Sequence, residues 1–123
     1  MSLTVYVFQP GEDGKPDVLD PPDDRGSELA GFESYRTVVW GSEAVRALGA
    51  RFFPLLALKD LWVQPEEVEE FQRECALLRD HLDEIAVPDE TGRPRRDTVS
   101  DRLANIEATA ARARSLGGGV VIW

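Results

Sequence analysis

Residues 117–123 read Gly-Gly-Gly-Val-Val-Ile-Trp, and no other stretch constrains the fold as much. The glycines stop a preceding helical pattern, and the apolar residues that follow, mostly β-branched or aromatic, run to the end of the chain. Chain ends fray unless they are tied down, and this one is too apolar to be left in water. The pattern predicts a strand inserted in a sheet. Its expected partner is the run 3–8, in which Leu3, Val5 and Val7 alternate with Thr4, Tyr6 and Phe8. Both faces of that run are apolar, which predicts cover on two sides. The two ends of the chain are therefore expected to meet in one small sheet.

Between them the pattern changes several times. Residues 9–32 are rich in proline, glycine and acids and show no periodicity, so they read as one long acidic loop. Loops of that length in compact domains are usually functional or disordered. Residues 35–40 (Tyr-Arg-Thr-Val-Val-Trp) read as a second strand. Ser42 is placed to cap a short helix carrying Val45, Leu48 and Phe52, and Gly49 and Pro54 interrupt it, so two short helices are expected across 43–59. Leu55, Leu56, Leu58, Leu61, Trp62 and Val63 form the most apolar segment and read as central core. Pro65 suits a helical first turn, and Val68, Phe71, Cys75, Leu78, Leu82 and Ile85 then recur at helical spacing. One helix of about six turns is expected, ending near Ala86 because Pro88 disfavours helical geometry before it. After a loop at 88–96, Asp97 or Thr98 is expected to cap a last helix with Val99, Leu103, Ile106, Ala110 and Ala113 inward. Gly117 suits the left-handed position that ends it.

This order predicts a single α+β domain over 1–123. A small sheet of about three strands contains both termini and is packed by two short helices and a long antiparallel helical hairpin.

The hydrophobic content of 42% is that of a folded domain, and the formal net charge is −9. Such a charge disfavours binding to nucleic acid, which depends on neutralising phosphates, and to anionic membranes. No apolar run is long enough to span a bilayer and no basic flank leads into a signal-type segment, so a cytoplasmic location is expected. The single cysteine excludes an internal disulfide. Residues 1–32 carry seven acids and two bases, residues 33–92 thirteen and six, and residues 93–123 three and six. A basic last helix beside an acidic earlier one is the simplest use of that asymmetry.

The candidates for chemistry are few. His81 is the only histidine, and it sits off the face that carries Cys75, so the helix offers no Cys-His pair. Glu66, Glu67, Glu70 and Glu74 include i,i+3 and i,i+4 pairs, and Glu67, Glu70 and Glu74 can share one side as a carboxylate set for magnesium; a solvated acidic face explains them as well. The acidic segment 17–24 lacks the alternation of an EF-hand loop. The glycines at 117–119 follow a helix instead of preceding one, so no helix N-terminus faces an anion there. Arg93, Arg95 and Arg96 make a weak candidate anion site just before a helix, in competition with local ion pairing. Trp40, Trp62 and Trp123 border apolar runs and read as core or sheet-edge packing, with one exposed tryptophan a good interface anchor.

The sequence thus favours a non-enzymatic, acidic protein-interaction module that binds a basic protein. Inhibitors and immunity proteins of nucleases are the physical archetype, by likeness of charge. The candidate contact residues are Asp20, Asp23 and Asp24 in the loop and Glu66, Glu67, Glu70 and Glu74 on the helix. No cofactor or resident metal is expected. The alternative is a small metal-dependent hydrolase using the helical carboxylates; a third reading is a subunit that homodimerises through a strand edge or the long helical stripe.

Overall fold

The computed structural model describes residues 2–86 and 96–123. The fold is mixed α+β, with one antiparallel sheet of five strands, not the three expected. Strand β1 (Ser2–Pro10) is central. On one side β5 (Gly119–Ile122) runs antiparallel to it, with Val5 opposite Ile122 and Val7 opposite Val120. Strand β4 (Leu61–Val63) pairs with β5 in turn, and Trp62 faces Val121. Trp123 extends the pairing, donating its N–H to the Thr4 carbonyl at 3.0 Å and accepting from the Thr4 N–H at 2.9 Å. The terminal run is therefore an inner strand, held on both edges.

The other side of β1 is covered by segments of the expected acidic loop. Strand β2 (Pro16–Val18) pairs with the end of β1 and β3 (Leu29–Phe32) with its start. The reading of 9–32 as one loop is thus corrected. Its first glycines make a hairpin turn: the Gly11 N–H reaches the Lys15 carbonyl at 2.8 Å, and Gly14 takes φ +79°. Pro10 and Pro16 pair at the strand ends, where a missing N–H is tolerated. Further on, the Arg112 guanidinium donates to the Asp20 carbonyl at 2.9 Å and the Asn105 amide to the Leu29 carbonyl at 2.9 Å, which fastens the segment to the last helix.

Residues 35–40 are also corrected: Arg36–Trp40 form a π-helical turn, not a strand. Tyr35, Val39 and Trp40 are buried, a spacing of helix type that the β-branched Thr37, Val38 and Val39 mask in the sequence. Trp40 Nε1 donates to the Ala30 carbonyl at 2.9 Å, and Arg36 spans Glu33 and Asp60 at 2.6 Å each. Gly41 is required after this turn, because a Cβ there would lie 2.2 Å from the Arg36 carbonyl oxygen.

Two short helical pieces follow, α1 (Glu43–Ala47) and a 3-10 turn (Phe53–Ala57), with the Ser42 hydroxyl accepting from the Val45 N–H at 3.3 Å. The expected continuous helix from 65 is three pieces: a 3-10 turn (Pro65–Glu67) closed by a Gln64–Glu67 capping box, α2 (Val68–Asp80), and α3 (Leu82–Ile85) after a break at His81. The predicted stripe is nevertheless buried throughout, as are Val99, Leu103, Ile106, Ala110 and Ala113 of α4 (Arg96–Leu116). Helix α4 lies against β1, β3, β5 and α2. Arg79 of α2 pairs with Glu107 at 2.6 Å and Arg114 of α4 reaches Gln72 at 3.2 Å, so the two helices run antiparallel. Gly117 takes φ +67° and the Gly118 N–H returns to the Ala113 carbonyl at 2.9 Å, ending α4 as its sequence predicts. Apart from Arg96, the expected loop 88–96 lies outside the described residues.

The core sits between the helices and one sheet face, where Leu3, Val5, Val7, Leu61, Val63, Val120 and Ile122 meet the α2 and α4 stripes. The alternate positions, Tyr6, Phe8, Trp62, Val121 and Trp123, point to the opposite face. Phe8 and Val121 are buried but stand apart from the helix-side core, and Tyr6 and Trp62 are half-buried. The expectation of cover on two sides is therefore met on one face only: helices pack the inner side, while the outer side carries the sheet's own partly exposed aromatic rings. Among the described residues no helix is long and apolar enough to cross a membrane.

Candidate interaction surface

The helical acids do not form a free acidic face. Glu74 is only 8% exposed, and its carboxylate accepts the backbone N–H of Arg51, of Phe52 at 3.0 Å and of Phe53 at 2.8 Å. It caps the start of the 3-10 turn Phe53–Ala57, an anion set on converging N–H groups. Glu70 and Glu67 hold the Arg51 guanidinium at 2.9 and 3.0 Å, Glu70 doing most to raise its pKa above the ordinary value. Glu67 also accepts the Gln64 N–H at 3.1 Å. Glu67, Glu70 and Glu74 thus share one side, but they are turned on residues 51–53 of their own chain. The placement of Glu74 on a solvated face is corrected. The sequence hides this role, because nothing local links Glu74 to a segment more than twenty residues earlier. Glu66 alone of the four is exposed without a hydrogen bond or ion pair among the described residues.

The loop acids divide differently. Asp23 braces its own turn, accepting from the Arg25 N–H and the Ser27 hydroxyl at 3.0 Å each. Those bonds, the backbone one first, hold its carboxyl below the usual carboxylate range. Asp20 and Asp24 are exposed, and their carboxylates make no hydrogen bond or ion pair among the described residues. The same is true of Glu12 and Asp17 on the hairpin. Among the described residues every ion pair lies outside 9–32, although that segment carries a net charge of −5.

Of the arginines singled out in the sequence, Arg96 is paired with Asp83, while Arg93 and Arg95 lie outside the described residues. His81 and Glu84 meet at 3.1 Å on the surface. Cys75 is buried, and desolvation first, then Glu107 and Glu74, push its thiol pKa up. The described residues contain no group of three or more His, Cys, Asp or Glu that could hold a metal ion.

The feature that residue-by-residue reading missed is the aromatic face of the sheet. Tyr6 and Trp123 meet edge to face at 6.4 Å, Trp123 and Trp62 at 5.4 Å, and Trp62 and Phe8 at 5.1 Å. Three strands supply this row of rings, each at an outward position. Trp123 is 38% exposed, whereas Trp40 is fully buried. At the far end, Phe8 and Trp62 open into a groove of about 300 Å³ lined also by Pro10, Gly14, Pro16 and Gln64. The alternation in 3–8 holds the signal for Tyr6 and Phe8; linking them to Trp62 requires the strand pairing.

Comparison with known protein families, curated proteins and solved structures finds none that matches this chain.

Proposed function

We propose that this chain is a non-enzymatic protein-interaction module that presents acidic surface to a basic protein, in the manner of an inhibitor or immunity protein. The observation that carries the reading is the uncompensated charge of the segment 9–32. Elsewhere many of the acids pair with arginines of the same chain, as at Arg36, Arg51, Arg79 and Arg96. Along 9–32 none of the described ion pairs forms, and the segment is fastened to the fold through its backbone, which leaves Glu12, Asp17, Asp20 and Asp24 exposed to water. Fixed, unpaired surface charge accelerates encounter with an oppositely charged partner and adds little to the stability of its own fold. Asp20 and Asp24 are the contact candidates on the loop, with Glu66 on the helix. Asp23 acts mainly on its own turn, and Glu67, Glu70 and Glu74 on residues 51–53.

The hydrolase reading draws no support from its carboxylates. A metal would have to displace Arg51 and the backbone N–H groups that Glu74 accepts.

The reading is tested by affinity capture at low salt, with the wild-type chain and an Asp20→Lys/Asp24→Lys chain as parallel baits. Proteins retained by the first and lost from the second are expected to be basic. Retention of an acidic partner, or equal retention by both baits, refutes it.

A further inference from the structure

We infer that the aromatic face of the sheet, with its row Tyr6, Trp123, Trp62 and Phe8, is the anchor on which an arginine-bearing segment of a basic partner docks. This rests on the acidic-module reading and names the surface it uses. Helices take up the inner face of the sheet, and no helix-side core residue belongs to this row. What shields Val121 and Phe8 from water is a set of rings that are themselves half-exposed. Monomeric proteins seldom leave contiguous aromatic surface open without a use for it. Tryptophan, tyrosine and arginine dominate the residues that carry binding energy at protein interfaces.

Charge selects the occupant. The hairpin that borders this face carries three acids, Glu12, Asp13 and Asp17, against one lysine, Lys15. Pro16 lines both the aromatic groove and the neighbouring acidic hollow that contains Glu12, Asp13 and Asp17. A second copy of this chain would bring like-charged rims together at a net charge of −9 each, which opposes self-association through this face. A cationic segment meets acids at the rim and ring faces at the centre. Guanidinium fits that combination best, since it stacks on aromatic rings and is weakly hydrated.

The test uses a short arginine-rich peptide and a lysine-rich peptide of equal charge and length, titrated against the full chain. Three chains are compared, wild type, Trp62→Leu/Trp123→Leu and Glu12→Lys/Asp17→Lys, with wild type also measured at raised salt. Leucine keeps an apolar side chain at each position and removes the ring face, and thermal melts verify that the variant folds. The arginine peptide should bind the wild type more tightly than the lysine peptide, and the leucine pair should weaken it by about tenfold or more. As a measurement free of substitution, the peptide should protect tryptophan fluorescence of the wild type from acrylamide. If the charge reversals and salt weaken binding but the leucine pair does not, or no protection is seen, the acidic reading survives and the aromatic anchor is overturned. Failure of the arginine peptide to bind at low salt overturns both. Concentration-dependent dimerisation abolished by the leucine pair would show that a second copy occupies the face, and would overturn the proposal.

Discussion

Replacing Glu74 removes an acceptor from three backbone N–H groups at once, two of which belong to the buried residues Phe52 and Phe53. A buried donor left without a partner costs about 1–3 kcal/mol. The two buried groups together therefore put the cost of Glu74→Ala at about 4 kcal/mol, with the Arg51 N–H open to water. Glu74→Gln keeps one acceptor oxygen and turns an NH₂ donor toward the other N–H groups, so about half the loss, ~2 kcal/mol, is expected. At about 4 °C per kcal/mol for a domain of this size, the glutamine variant should melt about 8 °C below wild type. Alanine should take a large share of the 5–15 kcal/mol that is typical of a whole domain, roughly. Glu70→Gln is the matched control: it removes a carboxylate of the same cluster, but one that meets Arg51 at the surface, and should leave the melting temperature nearly unchanged. Thermal and urea melts followed by circular dichroism measure all three. If Glu74→Gln melts with wild type, or Glu70→Gln falls as far as Glu74→Gln, the assignment of Glu74 as the cap of this turn is wrong.

Deleting residues 121–123 should unfold much of the domain, since Val121 and Ile122 are fully buried and β5 is the link between β1 and β4; their burial alone is worth about 3–6 kcal/mol, and a truncated chain that melts like wild type would contradict this. Asp23 has a lowered pKa, so the stability it adds is fully present above its ordinary value of 3.8 and is lost as pH falls through the lower folded value. The melting difference between wild type and Asp23→Ala should accordingly hold from neutral pH down to about 3.8, shrink below that, and close once pH has passed the lower folded value, as pH-dependent melts would read. Cys75 should resist a thiol reagent at pH 8 in the native state and react at once in urea. Fast stoichiometric labelling of the folded chain would show that the α2 stripe opens.

Periodicity carried the helical half of this fold. The stripes Val68 to Ile85 and Val99 to Ala113 depend on spacing alone, and burial follows that spacing even across the break at His81. The pairing of the two terminal runs was legible for a similar reason, since each is too apolar to be anything but an inner strand. Strand and turn in the middle of the chain were not. Val38 and Val39 have β-type side chains, yet the anchoring of Trp40 on Ala30 and of Arg36 on Asp60 decides for a helical turn. Strands β2 and β3 are three and four residues long and owe their conformation to the edge of β1. The candidate surface divides along the same line. The acidity of 9–32 can be counted in the sequence. That Glu67, Glu70 and Glu74 are spent on residues 51–53, and that three strands assemble one aromatic face, are long-range facts.

The central claim is that unpaired acids around the loop and aromatic face steer a basic partner. It is tested most directly by the association rate constant of the captured partner, measured by stopped flow against ionic strength for wild type and for Asp20→Lys/Asp24→Lys. Wild type should associate fast at low salt and slow steeply as the screening length shortens to about 10 Å at 0.1 M. The reversed chain should start slower and depend less on salt. A wild-type rate that is indifferent to salt, or identical in the two chains, would contradict the account.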